Sequence, residues 1–229
     1  MPLRILYVNM NFCMCVQFFD LINETMAQAR IRTRIEDLRR KELIEAAHRV
    51  FMQHGLSGMT TKRICEAAGM SPGILSYYFK GKEDVLFAMV RLNNRLLMEG
   101  VVARLKQATT RWDRLEAIIM GNFPADLFEP NVANSWLSVC TATSTNPRYA
   151  RLQRVLYSRL RSNLASVFTG VLPPERFAQV ALALGGLIDG LWLRRATGED
   201  LHPDAAIALV LTIASALLTS TEQALLRQG

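Results

Sequence analysis

Thr60-Thr-Lys-Arg-Ile-Cys-Glu-Ala-Ala-Gly69-Met-Ser71-Pro-Gly-Ile-Leu-Ser-Tyr-Tyr-Phe79-Lys-Gly-Lys82 is the stretch whose reading decides the fold. Ile64, Cys65 and Ala68 fall on one side of a short helix, and Lys62, Arg63 and Glu66 fall away from them. Gly69 follows the last periodic residue, where a left-handed conformation ends a helix at no steric cost. Ser71-Pro72 restarts a helix: the Ser oxygen is expected to accept from a free backbone N–H, and Pro at the first helical position loses no hydrogen bond. Leu75 and Phe79, at i and i+4, point back at Ile64 and Ala68. Two short helices crossing over a small Ala/Gly contact form a helix-turn-helix, whose second helix fits the DNA major groove.

Charge agrees with that reading. The chain of 229 residues carries a net charge of +7. Residues 30–82 hold eleven basic and five acidic residues, whereas 83–229 hold fifteen and thirteen. The excess therefore sits on and just before the motif, as for a polyanion binder, although a charge run alone is equally a solvated face. Half the residues are hydrophobic and fall in helix-period runs. No strand alternation and no internal repeat occurs, so the expected class is all-α. The cysteines at 13, 15, 65 and 140 form no Cys-x-x-Cys, and there are three His. No metal site and no cofactor is expected, and reduced cytoplasmic thiols are the simplest account.

Outward from the motif, residues 1–29 read as an extension, disordered or over-called, with Met26 as the natural first residue. Its apolar run is broken by Asn9, Asn11, Gln17 and Asp20, too polar for a membrane span, and no membrane partner is expected. The Arg-rich entry from Arg30 is a flexible arm for phosphates or the minor groove, or a solvated tail. A first helix is expected over about 37–54 with Leu38, Ile44, Ala47 and Phe51 inward. Lys82 opens a long helix to about 107, with Val85, Leu86, Met89, Leu92, Leu96 and Leu97 as its apolar stripe. Five further helices, about 111–122, 130–144, 147–170, 174–197 and 204–226, are punctuated by Pro124, Pro130, Pro147, Pro173-Pro174 and Pro203. This makes about nine helices in two domains: 30–84 for DNA, with the motif at 60–79, and 85–229 for effector binding and dimerisation. The last helix is apolar nearly all round, and Gly186 and Gly190 permit close helix approach. A homodimer through the last two helices is expected, which would present two recognition helices to a near-palindromic double-stranded operator.

The spaced set of a Thr opening the first short helix, Ala-Ala-Gly, Ser-Pro-Gly, Tyr-Tyr-Phe and Lys82 resembles the DNA-binding domain of TetR-family repressors. Its recognition helix carries no Arg or Lys between Ser71 and Phe79, so the common bidentate Arg–guanine contact is not available there. Base reading falls to Ser71, Pro72, Gly73, Ile74, Ser76 and Tyr77, and affinity to phosphate contacts from Thr61, Lys62, Tyr78, Lys82 and the Arg-rich arm. The resemblance implies a phosphate role for Thr60, at the start of the first short helix, for the tyrosines and for Lys82. Tyr78 and Phe79 are also natural core residues.

A second resemblance covers most of 111–195. Gly121-Asn122-Phe123, Trp136-Leu137, Asn146-Pro147, Arg151-Leu152-Gln153-Arg154-Val155, Arg159-Leu160-Arg161-Ser162-Asn163-Leu164 and Leu187 to Arg194 resemble the BetI-type branch of the same family, repressors of the choline-to-glycine-betaine genes. That implies choline as effector. A quaternary ammonium asks for aromatic faces and a carboxylate, for which Asp189, Trp192, Trp136 and Phe123 are the expected ligand residues. Each ring is also a natural core residue, and Asp189 has Arg194 and Arg195 as alternative partners. Tyr157 is a weaker candidate. An uncharged lipophilic effector remains the alternative. An enzyme is not expected, since no nucleophile–base pair, Gly-rich phosphate loop or metal constellation is present. In the expected mechanism the effector shifts the long helix rooted at Lys82 and changes the spacing of the two reading heads.

Overall fold

The computed structural model describes residues 34–55 and 58–228, and among these the regular structure is helical throughout. Residues 1–29, and Arg30 and Arg32 of the basic entry, lie outside the described residues. Helix α1 occupies 34–55. It is followed by α2 (Thr61–Ala68), α3 (Pro72–Tyr78), α4 (Lys82–Leu105), α5 (Arg111–Gly121), α6 (Pro130–Ala142), α7 (Pro147–Phe168), α8 (Pro174–Ala196), α9 (Pro203–Ala216) and α10 (Ser220–Arg227).

Proline sets most of the starts. Pro72, Pro130, Pro147, Pro174 and Pro203 each stand in the first turn of their helix, where the missing N–H costs nothing. Side-chain caps set others: Thr60 accepts from Arg63 N, and Thr110 with Asp113 forms a reciprocal capping box. Gly69 ends α2 at φ 65°.

Four expectations need correction. Ser71 stands before α3 but makes no side-chain cap bond, and Pro72 opens the helix alone. Leu38 is 55% exposed and Leu96 39% exposed. In α1 the inward row is instead Leu43, Ala46, Ala47, Val50 and Phe51. The expected helix over 204–226 is two helices. A second capping box, Thr219 with Glu222, starts α10 after a sharp bend, which makes ten helices among the described residues.

Ile64, Cys65, Leu75 and Phe79 join the α1 row and Val85 and Met89 of α4 in one buried cluster. Arg49 Nη2 donates to Ala67 O at 2.9 Å, tying α1 to the end of α2. In the larger bundle, α5 packs on α4, α7, α9 and α10, while α6, α7 and α8 pack mutually. By length and mean hydropathy α8 is apolar enough to cross a membrane. Its Val180, Leu184, Ile188 and Leu191, however, fill the core of this bundle. The opposite face stays open: Leu182 is 78% exposed, and Gly186, Leu193, Leu209 and Ile213 are exposed beside it on α8 and α9. The apolar α9 therefore buries one face, with Ala206, Val210 and Ala214, and leaves the other exposed.

Helices α4 and α5 cross where Gly121 lets them meet. A Cβ at Gly121 would lie 3.0 Å from Val101 Cα and clash with the Val101 side chain. Gly121→Ala is expected to destabilise the fold by about 1–3 kcal/mol, the usual cost of overpacking a tight core contact. A urea unfolding curve reads this directly, and an unmoved midpoint would show that the crossing tolerates the methyl.

Candidate functional site

Two regions carry chemistry. The first is the outer face of α2 and α3. Thr60, Thr61, Lys62, Ser71, Pro72, Gly73, Ser76, Tyr77 and Lys82 are all exposed, while Leu75 and Phe79 are buried beneath them. All the expected base readers and phosphate contacts among the described residues, apart from the half-buried Ile74 and Tyr78, are therefore accessible from solvent. A Cβ at Gly73 would meet nothing within 4 Å, so the backbone there is open to close approach. Thr60 Oγ1 is already used as the α2 cap, and Lys62 lies 3.9 Å from Glu66. Tyr77 is 63% exposed, and its hydroxyl donates to Glu36 of α1 at 3.2 Å. Tyr78 is half-buried, packs on the core and meets Tyr77 edge to face.

The second region lies where α6, α7 and α8 meet. Asp189 of α8 is half-buried, and burial pushes its carboxyl above the usual range. The Tyr157 hydroxyl is the partner that draws it partly back. Gln153 Nε2 donates to Tyr157 Oη at 2.7 Å and lies 3.5 Å from Cys140 Sγ. Burial raises Tyr157 to about 12 and Cys140 to about 11, so both stay protonated at neutral pH. Gln153 Oε1 is buried without a partner. Arg194 and Arg195 do not answer Asp189: Arg194 pairs with Glu199, and Arg195 with Glu129 and Asp200. Asp189 makes no ion pair among the described residues. A carboxylate in that position is destabilised by lost hydration unless a cation approaches it.

The aromatic residues sort differently from expectation. Phe123 is buried and meets Phe128 edge to face at 5.1 Å, and Phe128 meets Trp192 at 4.9 Å. Trp192 Nε1 donates to Asn122 O at 3.1 Å. Phe123 and Trp192 are thus joined through Phe128, which the sequence reading passed over, and they stand as core rings that clamp the connector before α6. Trp136 is half-buried on α6, packed against both this core and the small cluster of Val90, Val139 and Tyr149. Gln153 and Cys140 were also passed over as site residues. Only the i, i+4 spacing of Gln153 and Tyr157 on α7 hinted at their pairing.

Residues 43–89 match the family model described as bacterial regulatory proteins of the tetR family, and residues 112–219 match the BetI-type transcriptional repressor C-terminal model. The HTH-type transcriptional regulator BetI of Brucella suis is 37% identical over 177 residues, spanning 77% of this chain and 89% of that relative. The chain belongs to the TetR family, with a BetI-type C-terminal domain. BetI of Cronobacter sakazakii is likewise 37% identical, over 179 residues covering 76% of this chain and 88% of its own. Among solved structures, a TetR regulator from Haloarcula marismortui aligns with a TM-score of 0.67 at 19% identity, covering 79% of this chain and 96% of its own. A transcriptional regulator from Saccharomonospora viridis in complex with choline aligns with a TM-score of 0.62 at 24% identity, over 77% and 93%. These two share the fold. The TetR-family protein is a DNA-binding transcriptional repressor and not an enzyme.

Burial raises the Asp189 pKa in the folded chain, so ionising it costs stability. That cost is absent below the unfolded carboxylate pKa, grows as pH rises through the folded value, and is constant above it. Asp189→Asn is therefore expected to raise the melting temperature at pH 7 and to leave it nearly unchanged at pH 4. A lower melting temperature for the variant at pH 7 would mean that Asp189 already has a compensating partner.

Proposed function

We propose that this repressor is a cytoplasmic homodimer that holds choline-uptake or glycine betaine synthesis genes silent and leaves its operator when choline binds beside Asp189. The observation that carries the choline reading is the half-buried Asp189 carboxylate with no basic partner. A quaternary ammonium donates no hydrogen bond from its charged group, so it needs a carboxylate and aromatic or apolar walls rather than a hydrogen-bond cage. Trp136, half-buried on α6, is the ring proposed as such a wall. Phe123 and Trp192 would act one layer behind, through the connector they clamp. The BetI relatives and the choline-bound neighbour favour the same effector. The alternative, a different lipophilic or cationic effector, keeps the same architecture.

The exposed apolar face of α8 and α9 supports the dimer. Leu182, Leu193, Leu209 and Ile213 around Gly186 make a contiguous patch of the kind that symmetric association covers. On DNA, the exposed face from Ser71 to Tyr77 reads bases, and Thr60, Thr61, Lys62, Tyr78 and Lys82 hold phosphates on either side.

Two routes support transmission to that face. Asn146 Nδ2 donates to Glu83 Oε1 at 3.0 Å and Arg148 pairs with Asp84, so the start of α7 grips the start of α4, next to Lys82. Gln153 and Tyr157 stand further along the same α7. The other route runs through α8. Trp192 holds Asn122, Arg195 Nε donates to Phe128 O at 3.3 Å, and Asn131 Nδ2 donates to Met52 O of α1 at 3.2 Å. A ligand that moves α7 against α8 pulls on α4 and α1 together. It shifts the equilibrium only by its difference in affinity for the two arrangements.

A gel shift against the DNA upstream of the chain's own gene, with and without choline, tests the proposal. Retarded DNA that is released by millimolar choline from the wild type but not from Asp189→Asn is the expected result. Release of both proteins alike by an uncharged ligand, with choline inert, would favour the alternative effector.

A further inference from the structure

Helix α7 carries five Arg and no acidic residue from Pro147 to Phe168, far beyond what a solvated helix face needs. Two of the five are used within the fold: Arg148 pairs with Asp84 and lies over Phe87, and Arg161 lies over Phe177. Arg151, Arg154 and Arg159 have no acidic partner among the described residues, and neither does Arg91 on α4. Arg91, Arg151 and Arg159 border a groove of about 1460 Å³ walled by α1, α4 and α7. The groove's own acids are largely taken: Asp84 by Arg148, Glu45 by Lys41 and Glu99 by Arg95. Asp37, at the α1 end, is the remaining one.

The floor is apolar. Leu92 and Val102 of α4 and Val155 of α7 line it, with Val102 45% exposed and Val155 39% exposed. Large aliphatic side chains held open beside unpaired guanidinium groups ask for a ligand with both characters. The volume exceeds the range of about 300–1,000 Å³ usual for compact small-molecule sites, which favours an extended chain. We propose that this groove binds a long-chain anionic amphiphile, its carboxylate or phosphate head among Arg91, Arg151 and Arg159 and its chain along Leu92, Val102 and Val155. Guanidinium suits such heads because its planar fork meets carboxylate and phosphate oxygens two at a time.

The groove is distinct from the Asp189 region. Positions 151, 155 and 159 form one row of α7, whereas Gln153 and Tyr157 lie two residues off it, on the opposite side of the helix. An amphiphile would therefore bear on α7 from behind the effector constellation and brace it against α4.

The test is isothermal titration of the full chain with oleate, kept below its aggregation concentration, and with the methyl ester of the same acid. The proposal expects saturable binding of about one oleate per chain and much weaker binding of the uncharged ester. The double variant Arg151→Gln/Arg159→Gln, altered only at exposed positions, should bind oleate about tenfold or more weakly, with each tenfold loss corresponding to about 1.4 kcal/mol. Its melting temperature should be unchanged. Equal oleate binding by wild type and variant overturns the proposal. So does binding only to phosphatidylglycerol vesicles, which would make the groove a membrane-contact face. Displacement of bound oleate by poly-glutamate but not by a second fatty acid would also overturn it, pointing to an acidic protein segment.

Discussion

A carboxylate drawn into a helical bundle must be protonated, paired or costly, and the half-buried Asp189 is the residue on which the proposed regulation turns. It sits on α8 where α6 and α7 converge, and the hydroxyl of Tyr157 is the polar partner it has been given. Arginines that might have neutralised it one turn later are engaged elsewhere, with Glu129, Glu199 and Asp200. The arrangement leaves an electrostatic deficit that a mobile cation can fill, and the proposed effector is such a cation. The same helix continues to Trp192 and Arg195, which hold the connector leading to α6, and the first turn of α6 touches α1 through Asn131. In the proposed mechanism, this chain of contacts links filling the deficit to moving the reading head.

The DNA face obeys a different economy. Its recognition helix is seven residues long and has no basic side chain, so in the proposed reading base contacts fall to hydroxyls, a proline ring, a glycine backbone and Tyr77. Orientation on the duplex must then come from phosphate contacts around its edge. Tyr77 is held by Glu36 in this structure, which ties the first helix to the recognition helix and gives α1 a direct hold on a proposed base-reading side chain.

Much of this was legible in the chain. Proline and glycine punctuation located most helices to within two or three residues, because a missing N–H and a left-handed φ act locally. The break before α10 was hidden, since Thr219 and Glu222 form their capping box inside a nearly continuous apolar run, where periodicity speaks louder than a polar pair. Leu38 and Leu96 fit a helical stripe yet face outward, because which stripe is buried depends on neighbours that spacing does not name. The site was legible in part. Asp189 stood out as a charge in an apolar run, but Trp192, three residues on, turns to the connector instead of joining it. Three residues advance a helix by less than a full turn, and a side chain at the edge of a face can fall on either side of a packing boundary. Phe128 and Cys140 carried no signal of their own, since their partners are distant in sequence, and Gln153 offered only its i, i+4 spacing to Tyr157.

In the proposed mechanism Asp189 is an uncompensated carboxylate awaiting a cation. The pH dependence of choline affinity tests it most directly. If the account is right, affinity rises with pH through the elevated Asp189 pKa and then levels, with a proton released on binding within that window. Choline affinity that is flat from pH 4 to pH 8, with no proton released, would contradict it.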